Sequence, residues 1–371
     1  MKFGKIMLLF AAMLASGQAV GATYYELTTF DVPFGSPGTT TATGVNNLGE
    51  VVGNYAGPDG DYNGPYPHAF QCVGGTYTQI TNATSIWGLN DAGLAVGGKP
   101  GGDGTGLVHD IHTHAQSGFH VPGKYFTRIQ GINNAGQVVG NWYDGLGSGA
   151  FMGHYTNAAL AQVWNHPYVN HRNEGTAAHG IDNLGRVSGF VDAPYDITPE
   201  LPYYIGGFIT TDVASPSAFT NFKFGTAETH VTASNTNGTM VGWYYSGGGY
   251  TTGFIKNGGV AESFLVERPR VIGTDIWDIN DRGWLVGSYI QLNENNQPVK
   301  HGFLAVPMPA QPIPLEMQQV GSQFVFTWYS KAFTLQCAPN ISGVFTNIPG
   351  ATSPWTNSLT GDRLFFRLIA E

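Results

Sequence analysis

Arg128, His179, His230 and Asp275 are the residues of this chain best suited to bind a carboxylate or to move a proton, and their spacing is not random. Each sits one or three residues before a copy of a ten-residue motif, represented by GINNAGQVVG at Gly131–Gly140. One residue before the six copies stand Thr43, Trp87, Gln130, His179, Thr232 and Trp277. Three before stand Thr41, Ser85, Arg128, Ala177, His230 and Asp275. If equivalent strands are arranged around an axis, these two rows gather at one mouth. Arg128 would there hold a carboxylate, Trp87 and Trp277 would stack on a sugar face beside the Gln130 amide, and His179, His230 or Asp275 would transfer protons. A glycosidase needs paired carboxylates, and Asp275 has no acidic counterpart in its row. The mixed His and Arg set suits proton abstraction from a uronate. The alternative is that these side chains pack between neighbouring sheets.

Two further groups have metal-binding character. Asp59, Asp61 and Asn63 fall in Asp-x-Asp-x-Asn-Gly, whose alternate oxygens can converge on calcium, although Phe70 replaces the acidic residue expected at the twelfth position. His109, His112 and His114 place imidazoles close together, as do His166, His171 and His179, without the spacing of a known zinc motif. Calcium is the one cofactor suggested. There is no Gly-x-Ser-x-Gly elbow, phosphate loop or dinucleotide fingerprint.

The motif defines the elements that must position these residues. Its copies start at 44, 88, 131, 180, 233 and 278, a period in the forties that matches one four-stranded propeller blade. An apolar residue two before each copy opens a strand. Asn-Asn-x-Gly is read as a hairpin turn, with Asn tolerating the left-handed region and Gly requiring it. Val-Val-Gly is the second strand, its last glycine suiting a bulge or a close backbone approach. A third strand carries Phe70, Phe151, Phe208, Phe254 or Phe303 after a small residue, and a fourth precedes the next copy. The sixth repeat lacks a fourth strand, and Tyr24–Pro33 matches the missing pattern, so the N-terminal strand is expected to close the ring. The copies disagree in Ala56–Pro67, Asp192–Ile205, Ile290–Lys300 and Asn165–Ala178, which fall at the end opposite the Asn turns. Function is expected at that loop-rich face.

The predicted fold is all-β: a six-bladed propeller over 23–306, a proline-rich linker over 307–314, and a small β-sandwich-like domain over 315–371. Residues 1–22 read as a signal peptide, with Lys2 and Lys5 before a short apolar run and Ala22 at the cleavage site. The run is shorter than the ~20 residues a membrane span needs, so a secreted, periplasmic or surface location is expected. Charged residues are sparse at 11 %, and the formal net charge of −9 leaves no basic stripe for nucleic acid. Export permits a disulfide between Cys72 and Cys337; two separate buried thiols are the alternative.

The six motif copies, with His68-Ala69-Phe70 downstream of the first, resemble the HAF family of bacterial extracellular repeats over about Tyr24–Val306. The resemblance implies a propeller-like architecture and no particular catalytic residue. The second copy lacks the Phe and the fifth has Ala233-Ser234 in place of Gly-Ile, which predicts distortion of those blades. The C-terminal segment, with Trp328, Pro354-Trp355 and Phe365-Phe366-Arg367-Leu368, is similar to small β modules that close secreted bacterial proteins. The leading expectation is an exported binding protein for a glycan or a cell-surface protein. A carbohydrate-active lyase or hydrolase is the second reading, and a structural envelope repeat protein the third.

Overall fold

A computed structural model describes residues 25–57, 68–100, 104–169, 175–193, 204–307, 315–321, 323–328, 333–341, 343–357 and 364–370. The segment carrying Asp59, Asp61 and Asn63 lies outside the described residues, as does His171. The chain divides into two compact units, Leu27–Val306 and a unit containing Pro307–Glu371.

The larger unit holds six four-stranded antiparallel sheets, giving an all-β, propeller-like arrangement. Sheet one comprises Thr41–Val45, Val51–Tyr55, His68–Val73 and Thr76–Ile80. Sheets two to five repeat this order, beginning at Ser85–Leu89, Phe126–Ile132, Gly175–Ile181 and Thr229–Ser234. In sheet six, Val271–Ile279, Leu285–Leu292 and Pro298–Pro307 are completed by Tyr25–Phe30 from the other end of the chain. Sheets two and five are as complete as the rest, against the expected distortion. Leu107 stands where the other repeats have Phe and is fully buried, so an aliphatic side chain serves the same core position.

The motif's turn works differently from the sequence expectation. Only its glycine is left-handed, with φ of 84°, 78° and 77° at Gly49, Gly93 and Gly136. The first asparagine of the turn is present for its hydrogen bonds. Its side-chain oxygen accepts two backbone N–H groups of its own turn: Leu48 and Glu50 on Asn46, Ala92 and Leu94 on Asn90, Ala135 and Gln137 on Asn133. Its amide then donates to the carbonyl of the equivalent residue in the next turn. Asn46 reaches Asn90 at 3.2 Å, Asn90 reaches Asn133 at 3.1 Å, and Asn133 reaches Asp182 at 3.0 Å. Asp182 has no amide, and Arg186 takes over, bonding Asp182 through Nε at 2.6 Å and the Asn235 carbonyl through Nη2 at 2.6 Å. Asn235 continues to Asn280 at 3.1 Å, and Asn280 returns to Asn46 at 2.8 Å. Buried backbone groups must be paired, and this set pairs them while tying each sheet to the next.

A bulge occurs in every repeat, but in the first strand and not at the motif's last glycine. The register slips between Ala42 and Gly44, Ile86 and Gly88, Ile129 and Gly131, Ala178 and Gly180, Val231 and Ala233, and Ile276 and Asp278. The last glycine of the motif serves close approach: a Cβ on Gly97, Gly140 or Gly242 would overlap the carbonyl oxygen of Ser85, Arg128 or His230. The third-strand rings of Phe70, Phe208, Phe254 and Phe303 lie against the equivalent glycines and are wholly buried. Each ring contributes roughly 2–3 kcal/mol of hydrophobic stabilisation.

In the smaller unit, Glu316–Val320, Gln323–Thr327 and Trp355–Asn357 form one sheet, and Thr346–Asn347, Phe333–Ala338 and Phe365–Ala370 form another. Phe326, Trp328, Leu335 and Phe366 are buried in its core. Cys72 and Cys337 are both free, partly buried thiols.

Candidate functional site

The skipped residue of each bulge is the residue one before the motif. Bulges re-aim side chains, and five of these six, Trp87, Gln130, His179, Thr232 and Trp277, line a cavity of about 70 Å³. The turn residues Asn47, Asp91, Asn134, Asn183 and Asp281 bound the same space. The cavity therefore sits toward the Asn-turn end, whereas the sequence placed these residues at a loop-rich mouth. The correction follows from the bulge lying next to the turn. A space this small suits a few ordered waters, since drug-sized ligands occupy roughly 300 Å³ or more. Its lining includes Asp91, Asp182, Asp278 and Asp281 and no lysine or arginine, so this end disfavours an anion.

The expected convergence of Arg128, His179, His230 and Asp275 is only partly present. His179 and His230 are neighbours, with ring centroids 6.1 Å apart. His230 is stacked between Phe190 at 3.7 Å and Trp243 at 3.8 Å, joining sheets four and five. Burial pushes His179 down to about 4 and His230 down to about 2, so both rings are neutral near pH 7. For His230 the packing alternative is what the structure shows. Asp275 accepts a short hydrogen bond from Thr251 Oγ1, and burial raises its pKa. No hydrogen bond or ion pair among the described residues joins Asp275 to Arg128, His179 or His230. Trp87 and Trp277 do meet, at 5.4 Å, and Trp87 Nε1 donates to Ser85 Oγ at 3.0 Å.

The histidine clusters separate into individual structural roles. His109 Nε2 bonds Gln71 Oε1 at 3.0 Å, while His112 Nε2 bonds Glu50 Oε1 at 2.7 Å, which raises the His112 pKa. His166 is 1 % exposed; it receives the Tyr168 N–H on Nδ1 and contacts Asn221 Oδ1 through Nε2 at 2.9 Å, which fixes a neutral tautomer. Burial pushes it down to about 4. Among the described residues no group of three His, Cys, Asp or Glu could hold a metal ion.

Sequence reading missed three features. Asp278 occupies the motif's first glycine position, and its carboxylate accepts Val45 N–H at 2.9 Å and Ile279 N–H at 2.8 Å. Burial lifts it to about 7. The departure from glycine was visible in the sequence, its bond to the first repeat was not. Trp243 extends the aromatic contacts, lying 6.4 Å from Trp277 and edge-on to Tyr245 at 5.6 Å. The third feature is at the loop-rich end. Tyr125, Tyr143, Tyr245 and Tyr250 are 68 %, 46 %, 45 % and 38 % exposed, and they are the exposed aromatic side chains among the described residues. Tyr125 precedes the first strand of sheet three, and Tyr143 ends its second. Tyr245 lies near the end of the second strand of sheet five, and Tyr250 opens its third. All four therefore lie opposite the Asn turns.

No family model matches the chain, and no curated protein matches it. Similar solved structures include a subtype N11 neuraminidase-like protein of A/flat-faced bat/Peru, with a TM-score of 0.43 and 9 % identity, covering 78 % of this chain and 96 % of that one. An Aleuria aurantia lectin mutant in complex with Fucalpha1-6GlcNAc has a TM-score of 0.41 and 11 % identity, covering 74 % and 97 %. A glycoside hydrolase has a TM-score of 0.27 and 11 % identity, covering 80 % and 96 %. No helix among the described residues is long and apolar enough to cross a membrane.

Proposed function

We propose that this is an exported, non-catalytic binding protein: a six-bladed propeller, closed by its N-terminal strand, that presents its loop-rich end to a glycan. The observation that carries the reading is the placement of Tyr125, Tyr143, Tyr245 and Tyr250 at that end. Tyrosine offers a large, rigid face and a hydroxyl at little entropic cost, which suits the apolar face and hydroxyl edge of a sugar. A protein partner is the other occupant such a surface can take. The packing of His230 between Phe190 and Trp243 favours binding over proton transfer.

A glycan array probed with the mature protein is expected to give specific hits, and Tyr143→Ala and Tyr245→Ala are expected to weaken each hit about tenfold without changing Tm. Hits unaffected by either substitution, or no hits at all, would argue against the platform. Ring closure is supported by the pairing of Tyr25–Phe30 with Pro298–Pro307 and by the Asn280 bond to Asn46. Removing residues 25–33 is expected to lower Tm by more than 10 °C, since several kcal/mol of packing would be lost. A truncated protein that melts at the same temperature contradicts closure.

A further inference from the structure

The loop-rich end of sheet three holds a cation with nothing to bind. Arg128 has five N–H donors, and none of them makes a hydrogen bond or ion pair among the described residues. Its guanidinium carbon lies 5.4 Å from the centroid of the Phe126 ring, two residues earlier on the same strand. The nearby acceptors are already committed. Asn141, its cross-strand partner, uses Oδ1 to accept the Ala178 N–H at 3.0 Å. Asp144 is paired with Lys124 at 3.0 Å, and Lys124 in turn lies 3.4 Å above the centre of the Trp142 ring. Arg128 is partly buried, and burial works against its charge; a guanidinium stays charged regardless. A desolvated cation without an acceptor is costly, and a carboxylate is the group whose two oxygens match its planar fork.

The same strand pair carries the exposed rings. Phe126 faces Tyr143 across the first two strands of sheet three, and Tyr125 precedes Phe126. We infer that this end of sheet three takes a carboxylate-bearing sugar, with Arg128 gripping the carboxylate and Tyr125 and Tyr143 meeting the ring. The inference rests on the glycan platform proposed above and names its ligand class. A uronic acid residue within an oligosaccharide is the simplest member of that class. Approach is from the loop-rich end, because the cavity at the Asn-turn end is lined by aspartates and by no lysine or arginine. The chemistry is recognition alone; no bond is made or broken.

The test is a titration of the mature protein with an oligogalacturonate and with its methyl ester, which keeps the sugar shape and removes the charge. The acid is expected to bind at least tenfold more tightly, with an affinity that falls as salt rises. Arg128→Gln is expected to bring the acid down to the level of the ester, and Arg128→Lys to recover only part of the difference, because the fork is lost. Equal Tm of the variants and the wild type shows that the fold is intact. Equal binding of acid and ester by the wild type, or a preference that survives Arg128→Gln, overturns the carboxylate assignment and leaves the tyrosine platform standing. Absence of binding to any glycan, acidic or neutral, overturns both.

Discussion

Acidification from pH 6.5 to 4.5 is expected to weaken the protein by about 1–3 kcal/mol per pH unit, a large share of the ~5–15 kcal/mol that holds a typical domain folded. In the unfolded chain a histidine takes up its proton near 6.5. In the fold, burial holds His166 and His179 neutral down to about 4. Between those values the unfolded state binds more protons, so stability is complete above pH 6.5 and declines as pH falls toward 4. Each such group contributes a slope of about 1.4 kcal/mol per pH unit. Asp278 acts in the opposite sense. Its carboxyl is raised to about 7, so the fold retains a proton that the unfolded chain releases near 4, and stability declines as pH rises through that window. Asp275, raised by burial, opposes the histidines in the same sense as Asp278, and His109, lowered by burial, adds to them. His166 and His179 against Asp278 leave a slope of about 1.4 kcal/mol per unit. His230, pushed down to about 2, would double it, although the π faces of Phe190 and Trp243 attract an imidazolium and offset part of the burial effect.

Urea titrations at pH 7.5, 6.5, 5.5 and 4.5 measure this slope directly. His166→Gln keeps a side chain able to donate to Asn221 and removes the titrating group, so the slope is expected to drop by about 1.4 kcal/mol per unit. Asp278→Asn removes the opposing group and is expected to steepen it. A His166→Gln protein with the wild-type slope sinks the assignment of acid sensitivity to His166.

The architecture was legible in the sequence because the repeat restates it six times. The period gave the sheet size, the third-strand Phe gave the core, and the missing fourth strand pointed to Tyr24–Pro33, within which Tyr25–Phe30 joins sheet six. What periodicity could not carry was the direction of side chains. The row before the motif was recognised as special, but the bulge that turns Trp87, Gln130, His179, Thr232 and Trp277 toward the Asn-turn end depends on register. The four reactive residues were grouped by their offset from the motif. The offsets were not the same, however: His179 stands at the bulge one residue before its copy, whereas Arg128, His230 and Asp275 stand three before theirs. His230 is taken up by stacking on Phe190 and Trp243 and Asp275 by Thr251, contacts that no offset from the motif encodes. The tyrosines escaped notice for a related reason: they lie at or next to strand ends, where the copies differ in length.

The fourth repeat contains a natural substitution in the turn network, and it defines the largest mutational effect expected here. In five repeats the first turn residue is Asn, which accepts within its own turn and donates to the next. In the fourth, Asp182 supplies only acceptors, and Arg186 four residues later supplies the donor. Asn133→Ala removes the acceptor for Ala135 and Gln137 N–H and the donor to Asp182 and Gln137. Stranding these groups, of which the Asp182 carbonyl bond is buried and the others partly so, is expected to cost about 2–4 kcal/mol, given ~1–3 kcal/mol for each unsatisfied buried group. Asn133→Asp keeps the acceptors, loses the donor and adds a charge, and is expected to destabilise less than Ala. If Asp182 and Arg186 form an interchangeable unit, Asn133→Asp with Gln137→Arg should recover at least half of that loss, a coupling of roughly 1–3 kcal/mol. Chemical denaturation of the wild type, both single variants and the double variant closes the cycle. Additive effects of Asp and Arg at these positions mean that Arg186 is not a substitute for the missing amide, and that the fourth turn is held by the Ser234 contact to Asp182 instead.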